Sequence, residues 1–304
     1  MLNVTSHIPS CTIGLDLGDR TSHVYAVDAA GQHTDARVIP TTPAGLARHF
    51  GARAPCRVVL EVGTHSPWIS RALTAFGHEA IVANASAMYG KRRRRKRNDP
   101  LDAEFLARQG RADVRLLYPI QHRSALAQEH LEMLSARDQL VQVRTQLINH
   151  VRGTVKAQGG RIRTCAAEAF VPRATADLPG TLAAAVTPLL DTLAGVTRTI
   201  HAYDTQLATL MREHYPVALR LQQPAGVGPL TALAFVLLVE DPARFPRSRD
   251  VGAYFGLVPR LDESSTSSPQ LHITKAGDAF GRRLLVNAAH YILGPFGPDT
   301  DLRR

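Results

Sequence analysis

Thr12-Ile13-Gly14-Leu15-Asp16-Leu17-Gly18 places one carboxylate in an otherwise apolar segment, and Ser22-His23-Val24-Tyr25-Ala26-Val27-Asp28 follows at hairpin distance. The pattern predicts two neighbouring strands. An unpaired carboxylate in a buried strand is costly, so metal coordination is a natural reason for Asp16. Arg57-Val58-Val59-Leu60-Glu61 is the next strand-like run, closing just before Gly63. Glu61 is therefore expected at the end of a sheet, where sites of α/β proteins gather. Glu79-Ala80-Ile81-Val82-Ala83 predicts a further strand. Asp99-Pro100-Leu101-Asp102 then reads as a helix start, with Asp99 as N-cap and Pro100 in the first turn. Three residues apart, Asp99 and Asp102 share a helix face and can reach one metal cluster.

Strands with interspersed helices and acids at these points predict an α/β ribonuclease-H-like fold that binds Mg²⁺. In such sites two metals roughly 4 Å apart clamp the attacking and leaving oxygens. Taken singly, each acid has a plainer reading: a turn residue at Asp16, a solvated strand end at Glu61, a helix cap at Asp99. The ordered set favours the metal reading, because Asn98-Asp99-x-x-Asp102-Ala103 follows the basic run Lys91-Arg92-Arg93-Arg94-Arg95-Lys96-Arg97. Asp19 and Asp28 are read as decoys. The basic run offers charge without a base-reading geometry and is expected to bind nucleic-acid backbone, the alternative being a solvated charge run.

Composition agrees. Lys plus Arg number 36 against 26 acids, a net charge of +10, and the sequence pI is about 10.1, which favours a polyanionic partner. A chain of 304 residues with 44% hydrophobic content is long enough for two domains with their own cores. The longest apolar stretch, Leu230–Val239, broken only by Thr231, is too short to span a bilayer, and no charged-then-apolar signal opens the chain, so an intracellular protein without a membrane partner is expected. Cys11, Cys56 and Cys165 are odd in number, widely spaced and never in a C-x-x-C pair. They support neither a disulfide framework nor a zinc site and read as buried small residues.

Three parts are predicted: residues 10–118 with the acidic site, a helical connector over 119–215, and a mainly α part over 216–304. From Arg123 to about Gly159, Leu134, Val141, Ile148 and Val155 recur every seventh residue. In a second helix, starting at Thr187-Pro188, Leu189, Leu193, Val196, Ile200, Tyr203, Leu207 and Leu210 follow steps of four and three. Either the two helices pack on one another or they form a coiled coil between protomers. Pro224-Ala225-Gly226-Val227-Gly228-Pro229-Leu230 is similar to a helix-hairpin-helix turn, in which Gly226 and Gly228 would let backbone N–H groups approach a phosphate. A glycine-rich turn feeding a buried helix is the alternative. Beyond it, Glu263-Ser264-Ser265-Thr266-Ser267-Ser268 lies between basic, ordered elements, and Arg260, Lys275, Arg282 and Arg283 are candidate phosphate donors.

Ile13–Gly18, Leu60-Glu61, Asn98–Glu104, Gly226–Ala232, Tyr254–Arg260 and Ile273–Arg283 together resemble, in order, the insertion-sequence-110 family of bacterial transposases, also called the DEDD transposases. The resemblance implies a RuvC-like domain in which Asp16, Glu61, Asp99 and Asp102 bind Mg²⁺. It further implies a helical connector and a C-terminal domain whose serine forms a covalent phosphoserine with DNA. By the family's spacing that serine is Ser264, with Ser265 as runner-up. It also implies donor and target DNA as substrates, a structured guide (bridge) RNA from the element's non-coding end, a homo-oligomer from dimer to tetramer with sites shared between protomers, and action in the bacterial cytoplasm. Two features depart from the family pattern: no glycine follows Ser264, and Arg304 comes before the final basic helices of relatives.

Three other readings compete. A RuvC-type junction resolvase would hydrolyse DNA with water and need no serine domain. An ATP-binding protein of the actin and sugar-kinase type shares the opening strand, but no later glycine-rich adenosine loop is apparent. An inactive nucleic-acid-binding remnant would need only the basic run and the net charge.

Overall fold

In the computed structural model, β1 (Cys11–Leu17) and β2 (Thr21–Asp28) pair antiparallel, with Asp16 opposite His23. β3 (His33–Pro40) extends the meander beyond β2. β4 (Arg57–Glu61) and β5 (Glu79–Ala83) run parallel to β1 and to each other, giving the order β3-β2-β1-β4-β5. Leu15 pairs with Leu60, so Asp16 and Glu61 follow at the same end of two adjacent central strands. The structure describes residues 9–84, 88, 99–261, 267, 269–295, 297–299 and 301. The chain divides into two units, residues 1–123 and 124–304.

In the first unit, α1 (Pro43–Phe50) and α2 (Ser66–Ala75) bury Leu46, Phe50, Ile69 and Leu73 with Ile13, Leu15, Val24, Val58 and Leu60. Thr42 caps α1 by accepting the Gly45 N–H at 3.1 Å. α3 (Asp99–Ala112) contributes Leu106 to a separate cluster with Val59, Ile81 and Ala83. α3 approaches β1 more closely than a side chain would permit. A Cβ added to Gly14 would lie 1.9 Å from the Ala103 carbonyl oxygen, and one added to Gly110 would lie 2.3 Å from Val59 Cγ2. Polar ties fix the helix further: Arg57, paired with Glu79 at 2.8 Å, donates to the Gly110 carbonyl at 2.9 Å, and Arg111 donates to the Ala29 carbonyl at 2.8 Å.

The second unit is helical. α4 (Ala125–Ala157) and α6 (Ala183–His214) lie antiparallel, with α5 (Phe170–Asp177) against one end. Val151 and Val155 meet Val186, Leu190 and Leu193 at that end, while Ala127 and Leu134 share a cluster with Leu207 and Met211 at the other. The same cluster takes in Leu233, Leu237 and Leu238 of α8 (Pro229–Val239) and Phe255. α7 (Pro216–Arg220), α9 (Asp250–Tyr254) and α10 (Ala279–Leu293) complete the unit. α6 begins at Ala183, four residues before the expected start at Thr187-Pro188, and keeps Pro188 inside it. The buried contacts of Val186 and Leu190 hold the helix across the proline, whose missing N–H falls close to the end where helix donors are unpaired anyway.

Among the described residues, one helical stretch, 180–214, is long and apolar enough by length and composition to cross a membrane. Asp191, Arg198, Asp204 and Arg212 interrupt it, and Arg137 pairs with Asp204 at 2.9 Å.

Replacing Gly14 by Ala is expected to push α3 off the sheet and cost about 1–3 kcal/mol, the usual range for overpacking. Gly63→Ala, where nothing lies within 4 Å of the new methyl, should stay within about 0.5 kcal/mol of wild type. Thermal melts of the two variants check the difference.

Candidate catalytic site

The antiparallel course of α3 over β1 decides where its acids go. Ala103 lies on Gly14, whereas Gly110, two turns later, lies near Thr12 and Val59. The first turn of α3, with Asp99 and Asp102, therefore faces the end of β1 that carries Asp16 and the end of β4 that carries Glu61.

Electrostatics show that the four acids share one neighbourhood. Burial is the main cause lifting Asp16 from the ordinary carboxylate range to about 6, followed by repulsion from Asp102, Asp99 and Glu61. His23 opposes the rise. Its Nε2 lies 3.7 Å from Asp99 Oδ2, and the Asp99 side chain is 71% exposed. His23 was not singled out in the sequence; its signal is the hairpin register that sets it across from Asp16.

Neighbouring acids are spent elsewhere. Glu104 accepts from Arg108 Nε at 2.7 Å and from the Tyr25 hydroxyl at 3.3 Å. Asp28 accepts the N–H groups of Ala30 and Gln32 at 2.9 and 2.8 Å, an Asx-type turn. Asp19 lies 3.5 Å from His65 and is 93% exposed. Among the described residues no three His, Cys, Asp or Glu side chains are already closed into a metal-ligand group. The chemistry of the set still suits a hard divalent cation, because four carboxylates supply only oxygen donors and their mutual repulsion has to be offset by a proton or a cation.

Lys91-Arg92-Arg93-Arg94-Arg95-Lys96-Arg97, Ser264 and Ser265 lie outside the described residues. The base of the serine segment is described. Pro259 and Ile273 form an antiparallel bridge, Arg260 donates its N–H to the His272 carbonyl at 3.0 Å, and Thr274 donates to Val258 at 2.9 Å. Gly256 and Gly277, both at positive φ, let these two strands of chain touch: a Cβ on Gly277 would meet the Tyr254 carbonyl oxygen at 2.1 Å. Arg260 and Lys275 are exposed there. Arg282 donates to the carbonyls of Phe255 and Ala276 at 3.0 and 2.8 Å, and Arg283 pairs with Asp138 at 2.6 Å, so both also serve the fold. Gly226, at φ +98°, presses on α10, where a Cβ would meet Tyr291 at 2.8 Å. Gly228 precedes Pro229 at the start of α8 and has open space around it.

An α/β sheet carrying four ordered acids, followed by a helical unit with a basic glycine-rich end, is the organisation of a DEDD-type transposase. Residues 13–158 match the DEDD transposase family model, and residues 218–299 match the model of the transposase IS116/IS110/IS902 family. A Pseudomonas aeruginosa protein named "Probable family 20 transposase" is 28% identical over 300 residues, covering 96% of this chain and 86% of that protein. The transposase of insertion sequence element IS1111A from Coxiella burnetii is 31% identical over 217 residues, 67% of this chain and 57% of the relative. The transposase of element IS1328 from Yersinia enterocolitica is 26% identical over 289 residues, 93% and 84% of the two chains. The chain belongs to the IS110 family of transposases, enzymes of DNA recombination that act on DNA.

The raised position of Asp16 fixes the sign of a pH effect. Its folded-state value lies above its unfolded one, so the stability it contributes is complete below about pH 4 and is lost as pH rises through about 6. In chelator, Asp16→Asn should therefore melt higher than wild type at neutral pH, by on the order of 1 kcal/mol after allowance for solvent screening. The gap should close on acidification to pH 4. Thermal melts from pH 4 to 8 measure it.

Proposed function

We propose that this chain is an insertion-sequence recombinase that cleaves and rejoins DNA through a serine–phosphate bond, with Asp16, Glu61, Asp99 and Asp102 holding Mg²⁺. The observation that carries this reading is the shared field of the four acids around Asp16. Residues 10–118 form a ribonuclease-H-like, RuvC-like domain, a reading supported by the strand order with three antiparallel strands followed by two parallel ones. Residues 119–215 form the connector, whose helices can also pair between protomers as a coiled coil. Residues 216–304 supply the serine domain, with the helix-hairpin-helix-like turn at Gly226 and Gly228.

Bound Mg²⁺ supplies positive charge to the scissile phosphate and favours the ionised serine. The chain's own groups do the rest. Ser264 Oγ attacks phosphorus, a phosphodiester P–O bond breaks, the serine proton passes to the medium, and the leaving deoxyribose oxygen becomes a hydroxyl. Attack by another strand's hydroxyl on the phosphoserine reverses the exchange, so the bond energy is kept and no ATP is needed. Arg260 and Lys275 at the base of the serine segment, with Arg282 and Arg283, orient the phosphate. Gly226, Gly228 and Lys91–Arg97 contact backbone, the basic run serving DNA or a structured guide RNA encoded by the element. The chain works in the cytoplasm as a dimer or tetramer in which the acids of one protomer meet the serine of another.

Ser264→Ala should leave DNA binding intact and abolish the protein–DNA adduct on denaturing gels. An adduct that persists overturns Ser264 and makes Ser265→Ala the next test, while Mg²⁺-dependent cleavage without any adduct supports a hydrolytic resolvase instead. Replacing Arg92, Arg93, Arg94 and Arg95 together should reduce the slope of log binding constant against log salt by up to about 3–4, near 0.9 for each lost phosphate contact. An unchanged slope in a filter-binding titration refutes the role of the basic run.

A further inference from the structure

At the end of β1 away from Asp16, two cysteines meet. The parallel ladder between β1 and β4 begins with Thr12 beside Arg57, so Cys11 on β1 and Cys56 just before β4 stand one position earlier. Strands roughly 4.7–4.9 Å apart bring such matched positions within reach of the roughly 4.4–6.8 Å Cα separation of a disulfide. Both side chains join the same apolar cluster, and each thiol shifts the ionisation of the other. Cys56 is buried and Cys11 partly exposed, which gives a small reagent access to Cys11 first.

The surroundings of the pair differ on its two sides. His78 Nε2 lies 3.0 Å from the Phe50 carbonyl oxygen, which assigns the ring proton to Nε2. Nδ1 is then an acceptor, 3.3 Å from both the backbone N and the Sγ of Cys56. Arg53 faces Cys11. Asp35 opposes it but is itself paired, with Arg37 at 2.7 Å and Arg53 at 3.6 Å, and His49 lies 3.3 Å from Arg53.

We propose that Cys11 and Cys56 are a hydroperoxide-reactive dithiol, with Cys11 as the attacking thiolate and Cys56 as the resolving thiol. The neighbouring Cys56 thiol is the main cause drawing Cys11 down to about 6, against burial and with help from Arg53, while Cys11 pushes Cys56 upward. Ionisation is thereby favoured at Cys11, with the proton kept on Cys56. The Cys11 thiolate attacks a peroxide oxygen; an S–O bond forms, the O–O bond breaks, and hydroxide or alkoxide leaves and is protonated. Cys56 then attacks the sulfenic sulfur of Cys11. The S–S bond forms, the S–O bond breaks, and water leaves carrying the Cys56 proton. The two sulfurs lose two electrons to the peroxide, and the new bond ties β1 to β4, the strands that carry Asp16 and Glu61.

The full reduced chain treated with hydrogen peroxide, digested without reductant and mapped by mass spectrometry should give a Cys11–Cys56 linked peptide lighter by two hydrogens, with Cys165 still open to alkylation. In Cys56→Ser, whose folding a thermal melt checks, dimedone should label Cys11. Iodoacetamide labelling of Cys11 in the wild-type chain should rise with a midpoint near pH 6. Oxidation of Cys165 before Cys11, a linked peptide joining two different chains, no linked peptide at all, or a labelling midpoint in the ordinary thiol range would each overturn the proposal.

Discussion

The backbone-to-backbone contact between Gly14 and Ala103 is the constraint on which the site depends. A helix can approach a strand only as closely as the intervening side chains allow, and at this crossing one side is hydrogen and the other a methyl. The closeness is repeated at Gly110 over Val59, so α3 is seated at two points along its length and its tilt is fixed. Arg57, Arg108 and Arg111 add directional ties, each reaching a backbone carbonyl: Gly110, Gly31 and Ala29. With the helix held in this way, the position of Asp99 and Asp102 relative to Asp16 is set by packing distant from the acids themselves.

The strands that carry chemistry were legible because they are buried. β1, β4 and β5 have the apolar runs that a covered sheet requires, and the hairpin from β1 to β2 shows in the spacing. β3 was not legible. His33-Thr34-Asp35-Ala36-Arg37-Val38-Ile39-Pro40 is an edge strand with only Ile39 buried, so no alternation marks it. The helical repeats showed that α4 and α6 are long, and the observed hairpin has apolar clusters at its two ends, with Ile148 packed against one of them and Val141 half-buried between them. A seven-residue repeat says that two helices can share a seam and is silent on whether both belong to one protomer.

Among the candidate site residues, sequence order carried more information than residue type. Asp16, Glu61, Asp99 and Asp102 are common residues in ordinary contexts, and only their succession on strand, strand and helix marks them as a set. Glu104 and Asp28 lie within the same segments, and only the fold shows that Arg108 engages one and a turn engages the other. The basic side chains present the same problem. Arg282 and Arg283 look like phosphate donors in a string of letters, yet carbonyls and Asp138 already engage them. Arg260 and Lys275 are exposed at the neck of the serine segment, and Arg283 is exposed on α10 as well.

These observations bear on how such a site stays assembled. Four carboxylates cannot hold one another by charge, and Asp16 is raised first by burial and then by repulsion from Asp102, Asp99 and Glu61. Their proximity has to be imposed from outside by interactions that do not involve charge at the site. Glycine contacts, the Arg57–Glu79 pair with its buried Arg57, and apolar clusters against the sheet meet that requirement. The packing that gathers the acids also buries Asp16, whose raised carboxyl costs stability as pH rises through about 6.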